Sequence, residues 1–159
     1  SCNNVSTYNV VAELMSFNID GEAIHRKVYD TYSENRMRLL GLCLSERLVV
    51  LPEYSASYIY LSKADLSKYC YQTGDSEGVV NYGLSIEKIN FTALFTEREN
   101  KIRISFRSKG TFDVNKFART HFKGGGHRNA SGADSYDSLE ETIEKFENAL
   151  KLYKHDLNF

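Results

Sequence analysis

Hydrophobic residues change their spacing once along this chain. Up to residue 47 they recur at helical intervals: Val11, Leu14 and Met15, then Ile24, then Met37, Leu40 and Leu44. Such spacing lines side chains along one stripe of a helix. Asp20 reads as an N-cap, with Ile19 and Ile24 stapled across it, and Ser33 repeats the device with Tyr32 and Met37. The first 47 residues are therefore expected to be three helices with no sheet of their own.

From Leu48 the period shortens to that of strands. LVVL and SYIYL are β-rich runs separated by Pro52 to Ser55, a hairpin pattern. A short helix is expected from Ser62, capped through Asp65, and another from about Asp75 to Leu84. INFTALF and KIRISFR form a second strand pair around a turn at Arg98 to Asn100. In KIRISFR, Ile102, Ile104 and Phe106 face one way, while Arg103, Ser105 and Arg107 face the other. Asp113 can cap a helix carrying Val114, Phe117 and Ala118. A short strand near Gly132 to Tyr136 then precedes a final helix, whose capping box is Ser138 with Glu141 and whose stripe is Leu139, Ile143, Phe146 and Leu150.

Composition is that of an ordinary globular domain, with 42% hydrophobic and 26% charged residues in 159. The net charge of −1 names no partner, but its distribution does. Residues 101–128 hold eight Lys or Arg against Asp113 alone, a local +7 that leaves −8 for the remainder. A basic segment in an otherwise acidic chain points to a local anion site. Cys2, Cys43 and Cys70 are odd in number and form no CxxC, which fits a reduced, cytoplasmic protein. Cys43 and Cys70 are expected in the core. No apolar run approaches the roughly 18 to 20 residues of a membrane span. The start, SCNN without Met, reads as a cut inside a longer protein or as a processed end.

Two stretches could carry chemistry. GGGHRNASG, Gly124 to Gly132, opens with three glycines that stability alone does not favour. Their N–H groups could converge on an anion, a helix start beyond could add its dipole, and His127 could reach a phosphate oxygen; taken alone, though, a glycine run is more often a plain flexible loop, here with a surface His. In FRSKG, Arg107 offers a planar fork matched to phosphate, and Ser108 a hydroxyl at the strand end. Alternatively, Arg103 and Arg107 only discourage edge pairing. Metal chemistry is poorly served: His25, His121, His127 and His155 form no HxH or HExxH, and no dense acid cluster suits a two-metal hydrolase.

Taken together, the strand ending in SFRSKG, the GGGHRNASG run and Asp75-Ser76-Glu77-Gly78-Val79-Val80-Asn81-Tyr82 resemble the DHH-associated C-terminal domain of the DHH phosphoesterases. The resemblance covers roughly residues 48–153, which sets the expected domain at 48–159. Residues 1–47 resemble the last helices of the catalytic domain and its connector. It implies an α/β fold, a mixed sheet with helices on both faces behind an N-terminal helical connector. It also implies phosphoester hydrolysis by two manganese ions, held in an N-terminal DHH domain that this chain lacks. The substrate would be a short oligonucleotide or a phosphorylated nucleotide such as pAp. The chain by itself would be inactive. Carried onto matching positions, Arg107, Ser108, Gly125, Gly126 and His127 become substrate contacts, with Asn81 a further candidate. Arg103 is added from sidedness. Ser131 stands where the family's GGGHxxAAG pattern has Ala. Within the family the rival parents are exopolyphosphatase-like or cyclic-dinucleotide-cleaving enzymes; outside it, the rival is a non-catalytic nucleic-acid-binding or tRNA-associated module.

Overall fold

The computed structural model describes residues 4–158. By packing, the chain divides between Ser33 and Glu34. The first unit holds helices α1 (Val5–Ser16) and α2 (Gly21–Tyr29). Asp20 caps α2 as predicted, its carboxylate accepting from the Ala23 N–H at 2.9 Å. Neither helix buries a residue. The apolar positions Val11, Leu14, Met15 and Ile24 remain about half exposed.

In the second unit α3 (Glu34–Ser45) leads into six strands: β1 (Leu48–Leu51), β2 (Ala56–Leu61), β3 (Phe91–Glu97), β4 (Ile102–Ser108), β5 (Gly125–His127) and β6 (Ala130–Ser135). Their order is β1-β2-β3-β4-β6-β5. All neighbours are antiparallel except β2 and β3, which are parallel. The crossover between those two carries α4 (Lys63–Lys68) and α5 (Val79–Leu84). Helices α6 (Val114–Phe122), α7 (Leu139–Leu150) and α8 (Lys154–Leu157) complete the unit. The expected mixed sheet with helices on both faces is what forms.

Each face has its own core. On one, Phe91, Phe95 and Phe106 of the sheet interlock with Phe117 of α6 and Phe146 of α7. Most of these rings meet edge to face, the arrangement that aromatic quadrupoles favour. On the other face, Ile59, Leu61 and Leu94 pack with Leu39, Leu42 and Cys43 of α3 and with Val79 and Val80 of α5. Thus α3 belongs with the sheet. Its buried stripe is Leu39, Leu42 and Cys43, one register away from the expected Leu40 and Leu44; Leu44 is exposed.

Three further expectations are corrected. The Asp75 helix begins only at Val79, because Gly78 adopts a left-handed φ of 81° and residues 73–78 form turns before it. Cys70 is exposed at the left-handed turn that ends α4, unlike the buried Cys43. The glycine run enters a strand rather than a helix start.

Candidate functional site

The register of the sheet draws a line through residues distant in sequence. Ser57 pairs with Thr92, Thr92 with Arg107, Arg107 with Ala130, and Ala130 with His127. Residues paired across strands share a face. One end of this row is roofed by α5. Gly83 makes that approach possible, since a Cβ there would fall 2.5 Å from Thr92 Oγ1 and 2.6 Å from Ser57 Oγ. Beneath it Ser57 donates to Thr92 Oγ1 at 2.9 Å, so the buried hydroxyls satisfy one another. The row then emerges at Arg107, Ala130 and His127, none of which is buried.

Arg107 and His127 are thus two strand spacings apart, about 10 Å between backbones, with a methyl group as the floor between them. The Arg107 guanidinium donates to its neighbour's carbonyl, Phe106 O, at 2.9 Å. Of the eight basic residues between 101 and 128, Lys101 alone has a carboxylate partner among the described residues: Asp134, at 2.7 Å. Most of the local charge is therefore available to an anion from outside.

The hairpin bearing His127 is fastened to the end of β4. Asn129 Nδ2 donates to Ser108 Oγ at 3.0 Å and to Gly110 O at 3.3 Å. Arg128 Nη2 donates to Thr111 O at 2.9 Å, and the Val114 N–H to Arg128 O at 2.7 Å. Ser131, buried, donates to the His127 carbonyl at 2.8 Å. These bonds fix the tip bearing His127 against the segment that follows Arg107.

The same bonds reassign other candidates. Ser108 is buried and its hydroxyl donates to Phe112 O at 2.7 Å, so it holds the loop that carries the site. The Gly124 N–H donates to Ala118 O at 3.0 Å, and the Gly126 N–H to Asn115 Oδ1 at 3.1 Å. Two of the three glycine donors are therefore already engaged, and the run is not an open anion nest. Its glycines serve close packing. A Cβ at Gly124 would lie 2.3 Å from Gly132 O, and one at Gly126, where φ is +150°, 2.7 Å from Ala130 O. Gly125 alone has room, its nearest neighbours being Asn115 Oδ1 at 3.8 Å and Arg119 Nε at 4.0 Å. Asn81 is exposed on α5. Arg103 shares the face of Arg107 but lies four residues along β4, about 14 Å away, opposite Asp134.

Asn115, Asn129 and Ala130 were not singled out from sequence. The cue for Asn129 was its place in the GGGHRNASG turn; Ala130 is meaningful only once the register is known.

The manganese pair implied by the resemblance has no fit here. Among the described residues, no group of three or more His, Cys, Asp or Glu stands where it could hold a metal. His121 instead meets Tyr153 Oη at 3.0 Å, away from His127. Burial first, and Lys145 second, hold the His121 imidazole below its ordinary pKa.

This arrangement can be set beside known proteins. The DHHA1 domain model matches residues 56–157. The chain belongs to the DHHA1 domain family. It is 29% identical over 147 residues to the bifunctional oligoribonuclease and PAP phosphatase NrnA of Bacillus subtilis, a match covering 91% of this chain and 45% of that protein. A solved exopolyphosphatase-related protein from Bacteroides fragilis is 44% identical with a TM-score of 0.93, covering 99% of this chain and 46% of the other. A pGpG-specific phosphodiesterase, PggH from Vibrio cholerae, shares the fold at 12% identity and a TM-score of 0.60, covering 96% and 52%. The DHHA1 chain therefore spans about half the length of the proteins it matches. Among the described residues, no helix is long and apolar enough to cross a membrane.

Proposed function

We propose that this DHHA1 chain binds the phosphate of a short oligonucleotide or of pAp for a metal-dependent phosphoesterase. In this reading a DHH domain carrying two manganese ions performs the hydrolysis, and this chain contributes the grip on the substrate. The observation that carries it is the row of Arg107, Ala130 and His127, none of them buried, in which Arg107 has no carboxylate partner among the described residues. A guanidinium can give a phosphate two parallel charge-assisted hydrogen bonds. His127 can supply a donor from the other side, and Ala130 leaves space for the group between them.

The name of the Bacillus subtilis relative supports the nucleotide substrate. Polyphosphate is a second reading, favoured by the name of the Bacteroides fragilis relative. Calorimetric titration with pAp, adenosine and tripolyphosphate tests both. Heat from pAp that weakens with added salt, and none from adenosine, is the expected result. Equal binding of adenosine would refute a phosphate-directed site. Tripolyphosphate binding more tightly than pAp would favour the second reading.

A further inference from the structure

Beyond the Arg107 row lies the edge of β6, around which the surface reaches helices α6 and α7 of the opposite face. β5 pairs only with Ala130, Ser131 and Gly132. At the edge of β6 a groove of about 810 Å³ opens, lined among others by Arg103, Ser105, Lys123, Gly124, Asp134 and Lys145. Ser105 and Gly132, which also lines it, form the row next to Arg107 and Ala130 on the same face. That row is about 7 Å along the strands, so the groove begins one row of residues from Arg107 and wraps the β6 edge toward α6 and α7. The charge in the groove is cationic. Asp134 is neutralised by Lys101 at 2.7 Å, leaving Arg103, Lys123 and Lys145 against Asp137. Lys123 and Lys145 are exposed and have no carboxylate partner among the described residues. Lys123 is held at the end of α6 in a left-handed conformation, φ 52°.

We propose that this groove is a second anion subsite, which takes the continuing backbone of an oligonucleotide whose terminal phosphate is held at Arg107 and His127. It rests on the phosphate-binding reading above. A single-nucleotide ligand would fill the row alone; a longer one would run along the β6 edge and meet Lys123 and Lys145. A cationic groove that tracks a backbone without reading its sequence is a common way to hold single strands.

The test compares pAp with 5′-phosphorylated pentaadenylate by calorimetry at several salt concentrations, on wild type and on a Lys123→Asn, Lys145→Gln double variant. Asn tolerates the left-handed backbone at 123, and a melting curve confirms that the variant folds. Wild type should bind the pentanucleotide more tightly than pAp, its log–log salt slope steeper by about 0.7 for each added phosphate contact. The double variant should lose up to about fivefold per cation for the pentanucleotide and nothing for pAp. A pentanucleotide affinity unchanged by the double variant, or a pAp affinity that falls equally, overturns the subsite. If wild type binds neither ligand, the phosphate-binding reading fails first and the subsite falls with it.

Discussion

Arg107 and His127 stand twenty residues apart in sequence and in a single row of the sheet, with Ala130 between them. Two strand pairings produce this juxtaposition, and the bonds from Asn129 and Ser131 hold it. The gap above Ala130 is then the space in which an anion would sit. Ala130→Val should fill it while suiting a strand, because β-branched residues fit the pleat. Binding of pAp should weaken at least about tenfold, roughly 1.4 kcal/mol, with the melting temperature little changed. Unaltered binding in a folded Ala130→Val protein would show that the anion sits elsewhere.

The glycines should separate by role. Gly124→Ala drives a Cβ into Gly132 O and Ala133 Cβ, at 2.3 and 2.6 Å, both held by strand β6. A loss of about 1 to 3 kcal/mol is expected from such overpacking. Gly125→Ala meets nothing nearer than 3.8 Å and should stay within about 0.5 kcal/mol of wild type. Urea unfolding of the two variants checks the contrast, and equal losses would contradict it.

The Arg47–Asp65 pair ties the β1 entrance to α4. Arg47 Nε and Nη2 donate to Asp65 at 3.0 and 2.9 Å, and the Ser62 N–H donates to the same carboxylate at 3.0 Å. Burial alone would raise the Asp65 pKa; the bonds from Arg47 and Ser62 outweigh it and hold the carboxyl below its ordinary value. A depressed folded pKa means that the unfolded chain takes up the proton first. The pair's stabilisation is therefore complete above the unfolded carboxyl pKa, about 3.9, and is lost as pH falls through the lower folded value. Asp65→Asn should cost about 3 kcal/mol at pH 7, since it leaves Arg47 half-buried without its partner. The difference between variant and wild type should shrink as the medium is acidified below pH 4. A gap that persists unchanged there would contradict the assignment.

Much of this fold could be read from local pattern. The alternation in β4, the capping boxes at Ser62 and Ser138, and Asp113 ahead of Val114 each depend on residues within a turn of one another. All appear as expected. What was missed depends on distant partners. Gly125–His127 is a strand because β6 lies beside it, and glycine has little strand preference of its own. No element was read beyond the Leu150 stripe, yet Leu157 is fully buried and its carbonyl accepts from Asn90 Nδ2 at 2.8 Å. Ser108 drew attention by motif, but only the structure shows its hydroxyl turned toward Phe112 O. Arg107 and His127 were both named from sequence; their common row follows from register, which neither motif encodes.

The central claim is that the Arg107 fork holds a phosphate, and Arg107→Lys tests it most directly. Lysine keeps the charge but presents a point rather than a planar pair of donors. The Arg107 guanidinium bonds only a neighbouring carbonyl within the described protein, so the fold should tolerate the change. Titrating pAp by calorimetry should show Arg107→Ala weaker than wild type by about 1.5 to 3 kcal/mol, roughly tenfold to a hundredfold. Arg107→Lys should fall between the two. Wild-type affinity in a folded Arg107→Lys variant would contradict the claim, because the fork would then contribute nothing that a bare positive charge does not.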